Sequence, residues 1–289
     1  MYKNMSFCLF IVFLFYFRSS SSSFLTSSSS FTAGQSFLNN WPSSQFINGG
    51  WVIPHNLTDL TGPCNIKRLN RNQDTLSQEE FVKKFAYNEP VILINVTDQT
   101  EFRMHSTREQ LLSKYGNYSI TVTTANTHSY PKAEMTLNDY VNIIMKPQEE
   151  GRLGSDTLYH FGDNDREEWA ELFSMYNIPP YTVPGLEPVI SFGLAGPGTG
   201  VPFHIHGPTF AETIYGRKRW FLYSPKVRPL FDPNGSTLDW LTNTYFSLPI
   251  NERPLECVLQ PGEVLYFPAY WWHATLNVDA SVFVSTFLA

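Results

Sequence analysis

After Gly62 the apolar positions follow two rhythms, one on each half of the chain. In the first half, "TLSQEEFVKKFAYNEP" places Phe81, Val82 and Phe85 on one helical face. Ser77 with Glu80 three residues on predicts a capping box, and Pro90 predicts the end. "PVILINV" predicts a buried strand, "STREQLLSKYGN" a short helix closing at Gly116, and "SITVTTAN" an alternating strand. "TLNDYVNIIMKP" predicts a helix stopped by Pro147, and "DTLYHF" a strand. "NDREEWAELFSMY" carries Trp169, Leu172, Phe173 and Tyr176 along one side, the pattern of an amphipathic helix.

The second half is a run of short apolar segments separated by Gly and Pro. "EPVISFGLAG", "GVPFHIH", "FAETIYG", "KRWFLYSP", "LECVLQPGEVLYFPAYWWHATLNV" and "ASVFVSTFLA" all predict strands, with "GSTLDWLTNTYF" as the one strong helical interruption. That rhythm predicts an antiparallel jelly roll or double-sheet barrel. The fold class is therefore α+β: one barrel domain with flanking helices in its N-terminal half. In the insert around "GSTLDWLTNTYF", Trp240, Leu241, Tyr245 and Phe246 are expected to pack, with covering the barrel site or contacting a partner as the alternatives. The chain of 289 residues is 42% apolar and 16% aromatic, enough for a large core, and the aromatic share favours β structure. A net charge of -6 argues against a nucleic-acid surface.

The N-terminus changes the picture of where the domain works. Lys3 precedes an uncharged run from Met5 to Phe17, too short for a membrane span of about 20 residues. It fits a signal peptide over residues 1–23, with a signal anchor as the alternative because Arg18 follows the run directly. Beyond that anchor no membrane span is expected. Residues 24–61 read as a Ser-rich, low-complexity linker, and residues 62–289 as the folded domain. Asn56, Asn95, Asn117 and Asn234 each begin an Asn-x-Ser/Thr triplet, the acceptor for N-glycosylation. With Cys8 in the signal, Cys64 and Cys257 remain, and an oxidising compartment predicts one disulfide between them; two buried free thiols are the alternative. The expected location is the endoplasmic reticulum lumen, with secretion as the alternative. The ending Thr286-Phe287-Leu288-Ala289 is no retention tetrapeptide, so retention would need another device.

The candidate chemistry lies in the barrel half. His204 and His206, two apart on a predicted strand, face the same way. His273 enters another strand at "YWWH", so three imidazoles can converge on one metal. The alternative is a set of hydrogen-bonded histidines at a barrel mouth. In "GRKRWFLYSP", Lys218, Trp220 and Leu222 share one face, and a lysine turned into the barrel needs an anion. The alternatives are snorkelling to solvent or pairing with Glu212 or Glu263.

These stretches, with "QPGEVLYFP", resemble the jumonji C domain of iron(II)- and 2-oxoglutarate-dependent oxygenases, a cupin-like double-stranded β-helix. The resemblance covers roughly residues 62–289. It implies His204 and His273 as metal ligands, Lys218 as the partner of the distal carboxylate of 2-oxoglutarate, and Tyr159 beside it. His206 stands where the family places Asp or Glu. Val201 stands where related hydroxylases often place Ser or Thr, and the loop after His206 is one residue short, losing an asparagine many relatives use. The lost hydroxyl removes a hydrogen bond to a charged acceptor worth about 1.5–3 kcal/mol. Glu212 is a spare carboxylate near the site in sequence, more readily an ion-pair partner than a substitute ligand.

Three functions follow. The first expectation is a degenerate, non-enzymatic oxygenase fold used as a lumenal binding or regulatory protein with a protein partner. Alternatively the chain is an iron(II)/2-oxoglutarate-dependent dioxygenase that hydroxylates a protein substrate, or a cupin-like metalloprotein with other chemistry. A three-imidazole site holds iron(II) or another divalent metal, with zinc and copper well suited.

Overall fold

The computed structural model describes residues 48–289 except Thr58 and Asp163; the signal segment and most of the Ser-rich stretch lie outside the described residues. Two sheets carry the fold. The larger has nine strands in the order β1-β2-β10-β7-β12-β6-β5-β3-β4, and the smaller has three in the order β11-β8-β9. Their ranges are β1 Arg68–Asn70, β2 Val91–Ile94, β3 Ser119–Thr124, β4 Lys132–Thr136, β5 Leu158–Phe161 and β6 Pro188–Ala195. The remainder are β7 Thr209–Tyr215, β8 Lys218–Tyr223, β9 Leu255–Leu259, β10 Glu263–Phe267, β11 Trp272–Asn277 and β12 Ser281–Leu288. The pairings among β6 to β12 are antiparallel, as the jelly-roll rhythm predicts.

The helices stack mainly on the outside of the large sheet. The first, α1 (Gln78–Phe81), starts on the expected capping box and widens into a π-helical turn over Val82–Ala86. The others are α2 Thr100–His105, α3 Arg108–Tyr115, α4 Leu137–Asp139 with a π-helical turn over Tyr140–Ile144, α5 Ala170–Ser174 and α6 Thr237–Asn243. Trp169, Leu172 and Tyr176 do pack inward, although α5 is shorter than the pattern predicts. The pattern showed neither α2 nor β4. None of the described helices is long and apolar enough to cross a membrane.

Residues ahead of Gly62 belong to the packed body. Trp51 joins the cluster of Phe102, Trp169 and Phe192, and Leu60 joins that of Phe203, Phe221 and Trp240. Trp240, Leu241 and Tyr245 are buried as expected, whereas Phe246 is exposed. No helix among the described residues separates β7 to β12 except α6 and short 3-10 turns.

Side-chain alternation in β8 sorts its two faces. Lys218, Trp220 and Leu222 point between the sheets, while Arg219 and Phe221 point outward under α6. Arg219 is fully buried there. It binds Glu256 through Nε at 3.0 Å and the Leu60 and Thr61 carbonyls at 3.1 and 2.8 Å, so its charge is compensated. The predicted bridge is present: Cys64 and Cys257 form a disulfide across a sequence separation of 193 residues.

Candidate metal centre

The stretch expected as the strand "GVPFHIH" forms no regular strand. Residues 198–204 nonetheless run antiparallel to β11 on hydrogen bonds. Asn277 N–H donates to Thr199 O at 2.8 Å and Thr275 N–H to Val201 O at 3.0 Å. The next exchange is between His204 and His273, each N–H giving 3.0 Å to the other's carbonyl. The pairing therefore slips by one residue between Val201 and His204, where Pro202 has no N–H to offer. The slip turns Phe203 out, against Trp240 at 4.9 Å between centroids, and His204 in, against His273 at 4.1 Å. Gly200 makes the approach possible, because a Cβ there would lie 1.7 Å from Thr275 O.

All three predicted histidines come together. The ligand nitrogens of His204, His206 and His273 lie within 4.8 Å of one another. Each Nδ1 faces a backbone carbonyl at 2.8 Å: Pro202 for His204, Gly207 for His206 and Trp271 for His273. A carbonyl only accepts, so each Nδ1 carries the proton and each Nε2 is a bare lone pair. The Nε2 atoms of His206 and His273 nevertheless approach to 2.9 Å. Extra protons do not resolve that contact. Burial pushes His204 down to about 4 and His206 down to about 3, and His273 well below its usual range. Three neutral imidazoles sharing lone pairs in a small space fit a cation, with the outer Nδ1–H bonds orienting each ring. The residues present therefore fit a divalent metal. Phe267 and Phe287 wall the site, at 4.4 Å from the His273 ring and 4.9 Å from the His206 ring. Ile205 and Tyr270 are exposed beside it.

Lys218 is buried between the sheets, 3% exposed. Its Nζ donates to Tyr159 Oη at 2.9 Å, so the two residues assigned to the acid co-substrate do meet. Neither anticipated carboxylate reaches it. Glu263 pairs with Arg68. Glu212 points to the other face of the large sheet and accepts from Thr97 Oγ1 at 3.0 Å, Gln99 Nε2 at 2.9 Å and Tyr176 Oη at 2.9 Å. Glu212 thus turns away from the histidines and from Lys218, and Arg103 is the base whose charge acts on it. Burial pushes the Lys218 ammonium well below its usual range. In place of an anion, the face of Phe283 lies 3.2 Å from Nζ to the ring centroid.

The void that Lys218 shares with Phe283 is too small for 2-oxoglutarate as these side chains stand. The void lined by Lys218, Thr213, Trp220 and Phe283 does not admit a water-sized sphere. Phe283, and Asn277 whose Nδ2 reaches Tyr159 Oη at 3.3 Å, went unrecognised in the sequence. The one signal for Phe283 is Gly193, an isolated glycine inside a strand, which marks close approach of a neighbouring group, and none points to Asn277.

The four sequon asparagines, Asn56, Asn95, Asn117 and Asn234, are all exposed.

Two sheets, antiparallel in every pairing but the parallel edge pair β1-β2, with a histidine cluster between them define a cupin-type protein. A family model described as a cupin-like domain matches residues 77–287, and the chain belongs to that family. Within it, the chain is 53% identical over 225 residues to mouse JmjC domain-containing protein 8, covering 78% of this chain and 82% of the relative. A more distant relative is the bifunctional arginine demethylase and lysyl-hydroxylase psr-1 of Caenorhabditis elegans, 24% identical over 76% of this chain and 60% of that protein. Among solved structures, Escherichia coli ribosomal oxygenase YcfD aligns at a TM-score of 0.44 and 18% identity, over 74% of this chain and 52% of that one.

Proposed function

We propose that this chain is a JmjC-fold protein of the secretory pathway that holds a divalent metal on His204, His206 and His273 and acts by binding a protein partner. The observation that carries the metal is the convergence of three bare Nε2 atoms, two of them 2.9 Å apart. When bound, the metal supplies a compact positive charge and a Lewis acid. The chain's own part is to hold three neutral rings by their Nδ1 protons and to surround them with aromatic side chains. Two features favour binding over turnover: the missing carboxylate ligand at His206, and the tight space beside Lys218. The disulfide and four exposed sequon asparagines favour an oxidising lumenal compartment.

Metal content tests the reading. The full chain, purified without chelator from a eukaryotic secretory host, is expected to carry close to one equivalent of metal by mass spectrometry. His206→Ala and His273→Ala are expected to lose at least tenfold of that occupancy. A metal-free wild-type chain that takes up neither iron, zinc nor copper sinks the proposal.

One observation favours a second reading, an iron- and 2-oxoglutarate-dependent protein hydroxylase. Lys218 Nζ meets Tyr159 Oη at 2.9 Å, the pair that the family resemblance assigns to the acid, and the more distant relative is named for arginine demethylation and lysyl hydroxylation. Succinate formation by iron-loaded protein, raised by His206→Asp, would establish it.

A further inference from the structure

We propose that Phe283, seated against Gly193, is the specificity-determining residue that shuts a dicarboxylate acid out of the Lys218 pocket, and that removing its ring opens a 2-oxoglutarate site. This rests on the reading that the chain acts by binding and not by turnover.

Three features of the backbone place the ring. The pairing of β12 with β7 slips between Val282 and Phe283, so that Val282 faces Tyr215 and Phe283 faces Thr213. In β6 the residue paired with Phe283 is Gly193. A Cβ at Gly193 would lie 2.6 Å from two Phe283 ring carbons and 2.9 Å from the Phe161 ring, so only glycine leaves this space to the phenyl group. The rings of Phe161 and Tyr159 then hold it at 5.5 and 6.1 Å between centroids. Phe283 is itself 4% exposed.

What the ring faces is a set of donors. Lys218 Nζ is 3.2 Å from its centroid. Trp220 Nε1 and Thr213 Oγ1, on two other residues lining the same void, meet no hydrogen-bond partner. Buried donors left without acceptors are costly and uncommon. An ammonium, an indole N–H and a hydroxyl gathered around one space suit a carboxylate, which accepts from all three. A π face satisfies the ammonium in part through cation–π attraction and leaves the other two unmet. The pocket has the chemistry of an acid site and the shape of a filled one.

The test is calorimetric titration of 2-oxoglutarate into the full chain loaded with manganese(II), compared across variants. The wild-type chain is expected to give no saturable binding up to millimolar acid. Phe283→Ala is expected to bind at least tenfold tighter, and Phe283→Ala with Lys218→Met to return to the wild-type baseline. Should Phe283→Ala fail to fold, Phe283→Leu carries the same test, with a smaller gain expected. Equal binding by wild type and variant overturns the proposal. So does silence from variants that keep wild-type circular dichroism and metal content. The two readings fail separately. A variant that gains acid binding on a chain that holds no metal leaves Phe283 as the plug and removes the metal centre. A metal-replete variant that gains nothing does the reverse.

Discussion

Glu212 and Lys218 are both buried in the barrel half, yet they do not pair. Successive residues of β7 point to opposite faces, so Ala211 packs between the sheets with Trp220 while Glu212 turns toward Tyr176 and Gln99. Its three donors are neutral, and burial pushes the carboxyl up from 4.5 to about 7. The sign of the consequence follows from linkage. Between pH 4.5 and 7 the unfolded chain has released this proton and the folded chain still holds it. Stability is therefore fully present below the lower value, falls as pH rises through the window, and levels off above the upper one. The loss is on the order of 2–4 kcal/mol at about 1.4 kcal/mol per pKa unit. Glu212→Gln keeps an acceptor and cannot ionise. Urea midpoints from pH 5 to 8 are expected to decline more steeply in the wild type than in Glu212→Gln. The buried histidines, whose depressed values act in the opposite direction, cancel in that comparison. Parallel slopes would refute the assignment.

At the scale of elements, segment 198–204 decides the site, and it is the part least visible in the sequence. The helix at Ser77 was legible because its capping box is a local pattern, and the strands of the second half because alternation and Gly/Pro turns are local too. His204, His206 and His273 were legible as a set through the family resemblance and through residue type. The one-residue slip at Pro202 was not, because it depends on how far Val201 can advance along β11 before the proline breaks the pairing. Simple alternation along "GVPFHIH" gives the right partnership of histidines for an incomplete reason. Phe283 was invisible for a related cause. Nothing sets it apart from the other phenylalanines until its register with Gly193 is known. Gly200 tests the role of the slip. Alanine there brings Cβ to 1.7 Å from Thr275 O, so the segment must move off β11 and carry His204 with it. Gly200→Ala is expected to lose at least tenfold in metal retention and to cost about 1–3 kcal/mol in folding stability, the range of overpacking. Mass spectrometry and urea unfolding of the same preparation read both. A variant that unfolds earlier but keeps its metal would separate the backbone from the site.

At the scale of the molecule, the open side of the small sheet is closed by chain from the start of the domain. β9 is an edge strand, and an unpaired edge invites pairing with other chains. Residues 60–68 cover it. Asn65 N–H donates to Glu256 O at 3.0 Å, and the Leu60 and Thr61 carbonyls accept from Arg219. Cys64 is joined covalently to Cys257. The guanidinium of Arg68 lies 3.7 and 3.8 Å from the two sulfurs and pairs with Glu263. A crosslink closing so long a loop removes chain entropy from the unfolded state worth about 5 kcal/mol in the loop-closure model, and measured losses on removal run about 2–5 kcal/mol. The metal trio does not hang on this clasp. His204 and His273 are fixed to each other by their own backbone exchange, and His206 follows two residues on. Cys64→Ser with Cys257→Ser is therefore expected to lower the unfolding free energy by about 2–5 kcal/mol while leaving metal stoichiometry at the wild-type value in the folded fraction. Urea unfolding and metal analysis of the same protein check both halves. Metal lost in step with the disulfide would mean that the clasp at β9 also sets the geometry of the histidines.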